Sequence, residues 1–486
     1  MNTKERLSGI RLLLKGCVLV MVVVSCSAPV KPPSPLEVVP TQAQLRWHRM
    51  EMNAFVHFSI NTFTDKEWGY GDESPLLFNP DSLDTDQWTR IFKETGFKSV
   101  ILTSKHHDGF CLWPSQYTEH SVAKAGNKTD VVGSLSRSVK NAGLNFGIYL
   151  SPWDRNHAEY GREAYVKYYR NQLKELFKLY GPVFEMWFDG ANGGDGYYGG
   201  ARETRKINGS TYYDWPGTLD LVRSMEPEII FFSDAGPGVR WVGNERGIAG
   251  VTNWNTITAD TLFAGKAGIE NLLQSGHPEG TKWIPAEVDV SIRPGWFYHA
   301  AQDSMVKSPE KLFDIWLTSV GRGSTLLLNI PPDRHGRVHR KDEQALIGFR
   351  KILEETFKKP LVAEGEVEVS EDRGDSNQFG SKQLGDDNDQ TYWATKDGVT
   401  SASAMVRWDS PKKMNYVVLQ EPIFLGQRVS DFVVEAEVNG VWQEVAKGTT
   451  IGYKRVLALG GVEALSLRVT INQSKNCVAL STLEVY

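Results

Sequence analysis

At 486 residues the chain is too long for one ordinary domain and suits a barrel of roughly 250 to 350 residues with a smaller partner. Its formal net charge of -5, with acidic and basic residues mixed throughout, provides no basic stripe to track a phosphate backbone, so nucleic acid is excluded as a partner. Of the four cysteines, only Cys111 and Cys477 lie beyond the N-terminal segment, and their separation suggests neither a disulfide framework nor a metal-site spacing.

The N-terminus carries Lys4, Arg6, Arg11 and Lys15, followed by an apolar run from Cys17 to Val24 that is too short to span a bilayer as a mature helix. This pattern predicts a signal peptide over residues 1–26. Val23-Val24-Ser25-Cys26 resembles a bacterial lipoprotein box, with Cys26 as the lipid-bearing residue and the Pro-rich stretch 27–42 as a tether. The expected product is secreted across the inner membrane and held, in the periplasm or at the outer membrane, only by a lipid anchor. A plain secretory signal cut nearby is the alternative.

Residues 43–358 alternate β-rich runs with amphipathic helices, which predicts parallel β/α units. The expected strands are Ala54 to Ile60, Ser99 to Lys105, Phe146 to Leu150, Val183 to Asp189, Ile229 to Asp234, Trp283 to Asp289 and Thr325 to Ile330. Glycines at 96, 181 and 321 close the intervening helices. Seven visible strands without a glycine-rich phosphate loop favour a (β/α)8-type barrel with one strand missed over an open doubly wound sheet. From 361 to 486 short alternating strands predict a small all-β sandwich. Its segment Leu384 to Thr395, LGDDNDQTYWAT, resembles discoidin-like (coagulation factor 5/8 type C) modules. By that resemblance Asp386, Asp389 and Thr391 are candidates for a structural calcium, against a solvated acidic turn.

The stretch FEMWFDGA, Phe184 to Ala191, reads as a buried strand presenting Asp189 at its carboxyl tip, where a β/α barrel keeps its chemistry. His57 ends the first strand, Glu67 and Trp68 follow in the next loop, and His106 with His107 end the second. Neighbouring strand residues point to opposite faces, so the HisHis pair is a poor chelator, and no HxH or HxxxH spacing supports a catalytic metal. Neutral imidazoles each offer one donor and one acceptor and suit sugar hydroxyls, as the 15 tryptophans suit the apolar faces of sugar rings.

The blocks HFSINTF, EWGYG, SKHHDGFCLWPS, GIYLSPWDRN, MWFDGANG, WVGNERG and AEVDVSIRPGWFYH, in this order, resemble the α-L-fucosidases of glycoside hydrolase family 29. The resemblance implies a retaining glycosidase that needs no catalytic cofactor, with Asp189 as nucleophile and His57, Glu67, Trp68, His106, His107 and Tyr149 binding fucose. It places Phe55, Trp187 and Trp296 as apolar walls near the sugar's methyl group, where a 6-deoxy sugar should meet hydrocarbon. Two glutamates compete for the acid/base role. Glu245, in WVGNERG after the fifth expected strand, matches the block that carries it in the α-1,3/1,4-specific branch, and Glu287, in PAEVDVS at the end of the sixth expected strand and at barrel-mouth height, is the runner-up; Asp234 is expected to be structural. The implied partner is a fucosylated oligosaccharide or glycoconjugate carrying α-1,3/1,4-linked fucose. A broad-specificity α-L-fucosidase is the alternative within enzymes, and a glycan-capture lipoprotein with an inactive barrel is the alternative outside them.

Overall fold

The computed structural model describes residues 30–486; the signal segment, with Cys26, lies outside the described residues. Eight parallel strands close into a barrel in sequence order: β1 Met52–Val56, β2 Ser99–Lys105, β3 Asn145–Leu150, β4 Glu185–Trp187, β5 Ile230–Ser233, β6 Val239–Trp241, β7 Ala286–Ser291 and β8 Thr325–Asn329. The strands are buried along nearly their whole length, as parallel strands covered on both faces must be.

β1 ends at Val56 rather than Ile60, which instead starts a short helix, Ile60–Thr64, and β4 is shorter than expected at both ends; two further strands differ more. β6 is the missing eighth: it follows β5 after the turn 234–238 with no helix between them, and so leaves no helical spacer in the sequence. β7 begins and ends later than expected, because Trp283 pairs with Thr256 in a separate two-stranded sheet.

The helices end for local reasons. Asp84 caps Thr85–Glu94, and Gly96 just beyond it takes a left-handed turn with φ of 98°. Glu163–Tyr180 stops instead at an extended Gly181, whose successor Pro182 disfavours further helix.

The segment expected to be a tether is docked from Pro33 onward, which corrects that reading. The Leu36 N–H donates to the Leu425 carbonyl at 2.9 Å, and Arg428 donates to the Ser34 carbonyl at 2.7 Å. A capping box of Thr41 and Gln44 then starts the helix Gln42–His48. Its Trp47, fully buried, joins Phe55, Ile101 and Leu327 in the barrel's inner core, while Gln44 donates to the carbonyls of Gly238 and Trp283, at the start of β6 and just ahead of β7. This helix therefore seals the end of the barrel opposite the strand tips.

The C-terminal domain is antiparallel, in the order β9 Glu366–Val369, β10 Ala402–Gln420, β13 Arg455–Ser474, β11 Val429–Val438, β12 Val441–Gly448, with β14 Thr482–Val485 on β10. Register shifts interrupt the long β10–β13 pairing, and the sheet encloses its own core around Trp393, Met414, Phe432 and Leu467. The barrel followed by an all-β domain is as the sequence predicts.

The two domains are firmly joined: Gln427 accepts from Asn255, Arg455 donates to the Val251 carbonyl, and Tyr486 packs on Phe357. Asp389 forms an ion pair with Arg49 at 2.7 Å, and Thr391 donates to Asp386 at 2.6 Å. Asp389 is thus engaged with Arg49 and Asp386 with Thr391, whereas a calcium ion takes six to eight oxygen ligands. Among the described residues no group of three or more His, Cys, Asp or Glu is placed to hold a metal ion. Cys111 and Cys477 are buried free thiols.

Candidate active site

At the strand tips lies a pocket of about 130 Å³, walled by Phe55, His57, Trp68, His106, His107, Tyr149, Trp187 and Trp296, with Asp189, Glu245, Asp289 and Ala191 completing it. This is far below the 300 to 1,000 Å³ typical of drug-sized ligands and fits one small ring.

Asp189 follows β4 and is held from two sides. The Tyr149 hydroxyl donates to Oδ2 at 2.9 Å, and the Ala191 N–H donates to Oδ1 at 2.7 Å. Gly190 is required beside it, because a Cβ there would meet Asp234 Oδ2 at 2.0 Å. Asp234 accepts from the Gly265 N–H at 2.7 Å and ties a neighbouring loop, in the structural role expected of it. Burial pushes its carboxyl up to about 6.

The hydrogen-bond partners settle how two histidines face the pocket. The Asn329 amide nitrogen donates to the Trp296 carbonyl at 2.8 Å, so its oxygen faces His57 Nδ1, 2.9 Å away. His57 Nδ1 must then carry the proton, leaving Nε2 as a bare acceptor. Ser151 spends its hydroxyl proton on the Trp153 carbonyl at 2.6 Å and so accepts from His107 Nδ1 at 2.7 Å, which leaves His107 Nε2 bare as well, 3.9 Å from Asp189 Oδ2. Burial keeps the imidazoles neutral: it lowers His57 to about 3, and it lowers His106 and His107 too. Both His106 and His107 reach the pocket because β2 has ended at Lys105, which turns away into a buried ion pair with Asp154 at 3.1 Å.

Aromatic rings form the remaining walls. Trp187 stacks on Phe232 at 3.8 Å and meets Phe55 at 5.1 Å, while Trp296 lies 5.1 Å from His57. Trp68, 52% exposed, stands edge-on to His107 and Trp153 at the rim.

Three expected positions are revised. Glu245 follows β6, not the fifth strand, and sits at the solvent-exposed mouth. One side of its carboxyl is nevertheless covered by the pocket wall. That burial raises its pKa, a hydrogen bond from Trp296 opposes the shift, and the charges of Asp189 and Glu67 reinforce it.

Glu287 is not at the mouth. It is the second residue of β7, fully buried beneath Trp187, whose Nε1 donates to it at 2.9 Å, and it faces the equally buried Glu185. Asp289, two residues on and on the same inward face, is the β7 carboxyl that lines the pocket, and sequence reasoning missed it.

Glu67 does not line the pocket either. It accepts from the Trp296 N–H at 2.8 Å and contacts His299 Nε2 at 2.6 Å, while His299 Nδ1 contacts Asp65 at 2.7 Å. It fixes the loop that carries Trp296.

The sequence profile of the family described as alpha-L-fucosidase matches residues 36–355. The chain is 38% identical over 462 residues to alpha-L-fucosidase 1 of Arabidopsis thaliana, a match that spans 93% of this chain and 88% of the plant protein. It also resembles the crystal structure of a glycoside hydrolase family 29 member from an unknown rumen bacterium, at 43% identity and TM-score 0.84, over 94% of this chain and 78% of that one. A family 29 fucosidase of Ruminococcus gnavus, solved in complex with fucose, aligns at 31% identity and TM-score 0.86, over 94% of this chain and 96% of that one. Matched along its barrel by the profile and over nearly its whole length by these relatives, the chain belongs to the α-L-fucosidases of glycoside hydrolase family 29.

Proposed function

We propose that this α-L-fucosidase releases terminal α-L-fucose with retention of configuration, Asp189 acting as nucleophile and Glu245 as acid/base. The observation that carries the reading is the placement of both carboxyls in one monosaccharide-sized pocket, Asp189 held by two donors and Glu245 at the mouth with a raised pKa. A sugar ring inside the pocket puts its leaving oxygen at the opening, where Glu245 stands. Asp189 attacks the anomeric carbon while Glu245 gives its proton to the leaving oxygen. The resulting fucosyl ester is opened by a water that Glu245 deprotonates, and the two displacements together retain configuration. His57 and His107 accept hydrogen bonds from sugar hydroxyls through their bare Nε2 atoms.

The test uses Glu245→Ala with an activated aryl fucoside. Forming the ester from that donor needs little acid, so its hydrolysis stalls at the second step and added azide restores turnover with an α-fucosyl azide product. Failure of azide to rescue Glu245→Ala refutes the assignment.

The blocks LSPWDRN and WVGNERG support α-1,3/1,4-linked fucose on branched glycans as the substrate. The exposed Trp68, and the hairpin Gly194–Gly196 with Glu203–Arg205 after Asp189, would contact the sugar next to fucose. Fucose release from branched trisaccharides set against linear α-1,2-linked fucosides decides between this and a broad specificity. The LGDDNDQTYWAT segment supports a discoidin-like module at the C-terminus, which contributes no residue to the pocket lining; a glycan-binding screen of the full chain with the pocket blocked decides whether this module takes sugar. The basic-then-apolar N-terminus and Cys26 support a lipid-anchored protein. A Cys26→Ser chain still found in the membrane fraction would refute the anchor.

A further inference from the structure

Asp289 projects from β7 into the pocket beside Glu245 and is only 4% exposed. Trp241 Nε1 donates to its Oδ1 at 2.9 Å, which fixes the carboxyl plane and leaves Oδ2 to the pocket. Trp241 ends β6 and leads directly into the loop bearing Glu245, so the strand that brings Glu245 to the mouth also supplies the indole that fixes Asp289.

The chemistry of the surrounding groups shows what Oδ2 is for. His57 and His107 present bare acceptors, Tyr149 spends its hydroxyl proton on Asp189, and the indole of Trp187 is spent on Glu287 as that of Trp241 is on Asp289, so the donors left to the pocket are the single N–H of His106 and the indole of Trp68 at the exposed rim. The Trp296 indole is engaged with Glu245. A fucosyl unit, however, has ring and glycosidic oxygens that carry no hydrogen and can be met only by a donor.

We propose that Asp289 is a further sugar-binding residue of this site, its Oδ2 hydrogen-bonding an oxygen of the fucosyl unit on the side where Glu245 works. Burial first, and then the charge of Glu245, hold the Asp289 carboxyl well above the ordinary range, so it is a neutral acid and Oδ2 donates. The charged and titratable groups that face it are Glu245 from the loop after β6, Glu287 from its own strand and Asp189 across the pocket. The inference rests on Glu245 being the acid/base.

Asp289→Asn and Asp289→Ala test it, measured by kcat/KM on an aryl α-L-fucoside across pH and by calorimetric binding of L-fucose. The Asn amide keeps a pocket donor and the oxygen bound by Trp241, so kcat/KM should stay within about threefold and the pH profile should not move. The Ala variant should lose roughly tenfold or more, with weaker fucose binding and no rescue by azide.

The proposal is overturned if Asp289→Ala matches the parent, or if Asp289→Asn is as impaired as Asp289→Ala and loses a limb of the pH profile, which would mark a charged role. Azide rescue of Asp289→Ala would overturn it too, by making Asp289 the acid/base. If the Ala variant does not fold, Asp289→Asn decides alone, and a tenfold loss refutes. Failure of the Glu245 assignment shows separately, in Glu245→Ala without azide rescue.

Discussion

Glu287→Gln separates the buried carboxyl pair from the catalytic one. Burial pushes Glu287 from the ordinary 4.5 up to about 7, and burial together with the charge of Glu287 raises Glu185 as well. A carboxyl whose folded pKa lies above its unfolded value adds no penalty below about pH 4.5, and it destabilises the fold progressively as pH rises through the folded value. For Glu287 the penalty at a pH above both values is about 3 kcal/mol, and relaxation of the interior trims it to about 1 to 3 kcal/mol. Glutamine is nearly isosteric, its amide oxygen still accepts from Trp187 Nε1, and it cannot ionise. The variant should therefore match the parent near pH 5 and exceed it at pH 8, with a thermal midpoint raised by roughly 2 to 6 °C. Because Glu287 does not line the pocket, kcat/KM should stay within about threefold of the parent. Thermal scans at the two pH values and an aryl fucoside assay are sufficient. A variant with the parent's own pH slope refutes the buried-pair reasoning. A large loss of turnover that azide restores would instead return Glu287 to the acid/base role.

Asp189→Asn, isosteric but unable to form the ester, should lower turnover by at least about a thousandfold while fucose binding persists; activity within tenfold of the parent contradicts the nucleophile assignment. Tyr149→Phe removes the 2.9 Å donor to Asp189 Oδ2 and should cost kcat about 10- to 100-fold with little change in thermal midpoint. Since the reaction needs Glu245 protonated and its pKa is raised, the alkaline limb of kcat/KM should lie above the ordinary glutamate range and vanish in Glu245→Gln. Exhaustive chelation should change neither turnover nor thermal midpoint, because Asp389 is paired with Arg49 and Asp386 with Thr391; a rate or midpoint restored only by added metal would contradict this.

The barrel was legible because its strands are short apolar runs separated by amphipathic helices, and β6 was not because no helix separates it from β5. The same omission displaced the reading of Glu245 by one strand. The confusion of Glu287 with Asp289 was of another kind. Both lie on one face of β7 by period-two alternation, and only the point where the strand ends decides which reaches the mouth. Had the strand been run to Ser291, Asp289 would have been the natural choice. Glu67 is read as a fucose ligand from the family resemblance alone. Its commitment to Trp296 and His299, some 230 residues away, is a tertiary fact that local sequence does not carry. The docked stretch from Pro33 read as a tether for a similar reason, since its partners Leu425 and Arg428 lie in the other domain.

Carboxyls at successive depths in the barrel have different environments, and the environments separate their tasks. At the sealed end Glu185 and Glu287 are fully buried, and Glu287 serves as an acceptor that pins the Trp187 indole. One layer higher Asp289 is still nearly enclosed but faces the pocket, so its proton is available for a hydrogen bond without being released. At the mouth Glu245 meets solvent on one side and the pocket on the other; a proton held there can leave and return, as an acid that must later act as a base requires. Asp189 differs from all of these in being fixed by a hydroxyl and a backbone N–H that orient the carboxylate without covering it, and that access is the condition for attack on a carbon. Chemical identity alone does not distinguish these groups; depth along the barrel axis and the donors around each carboxyl do.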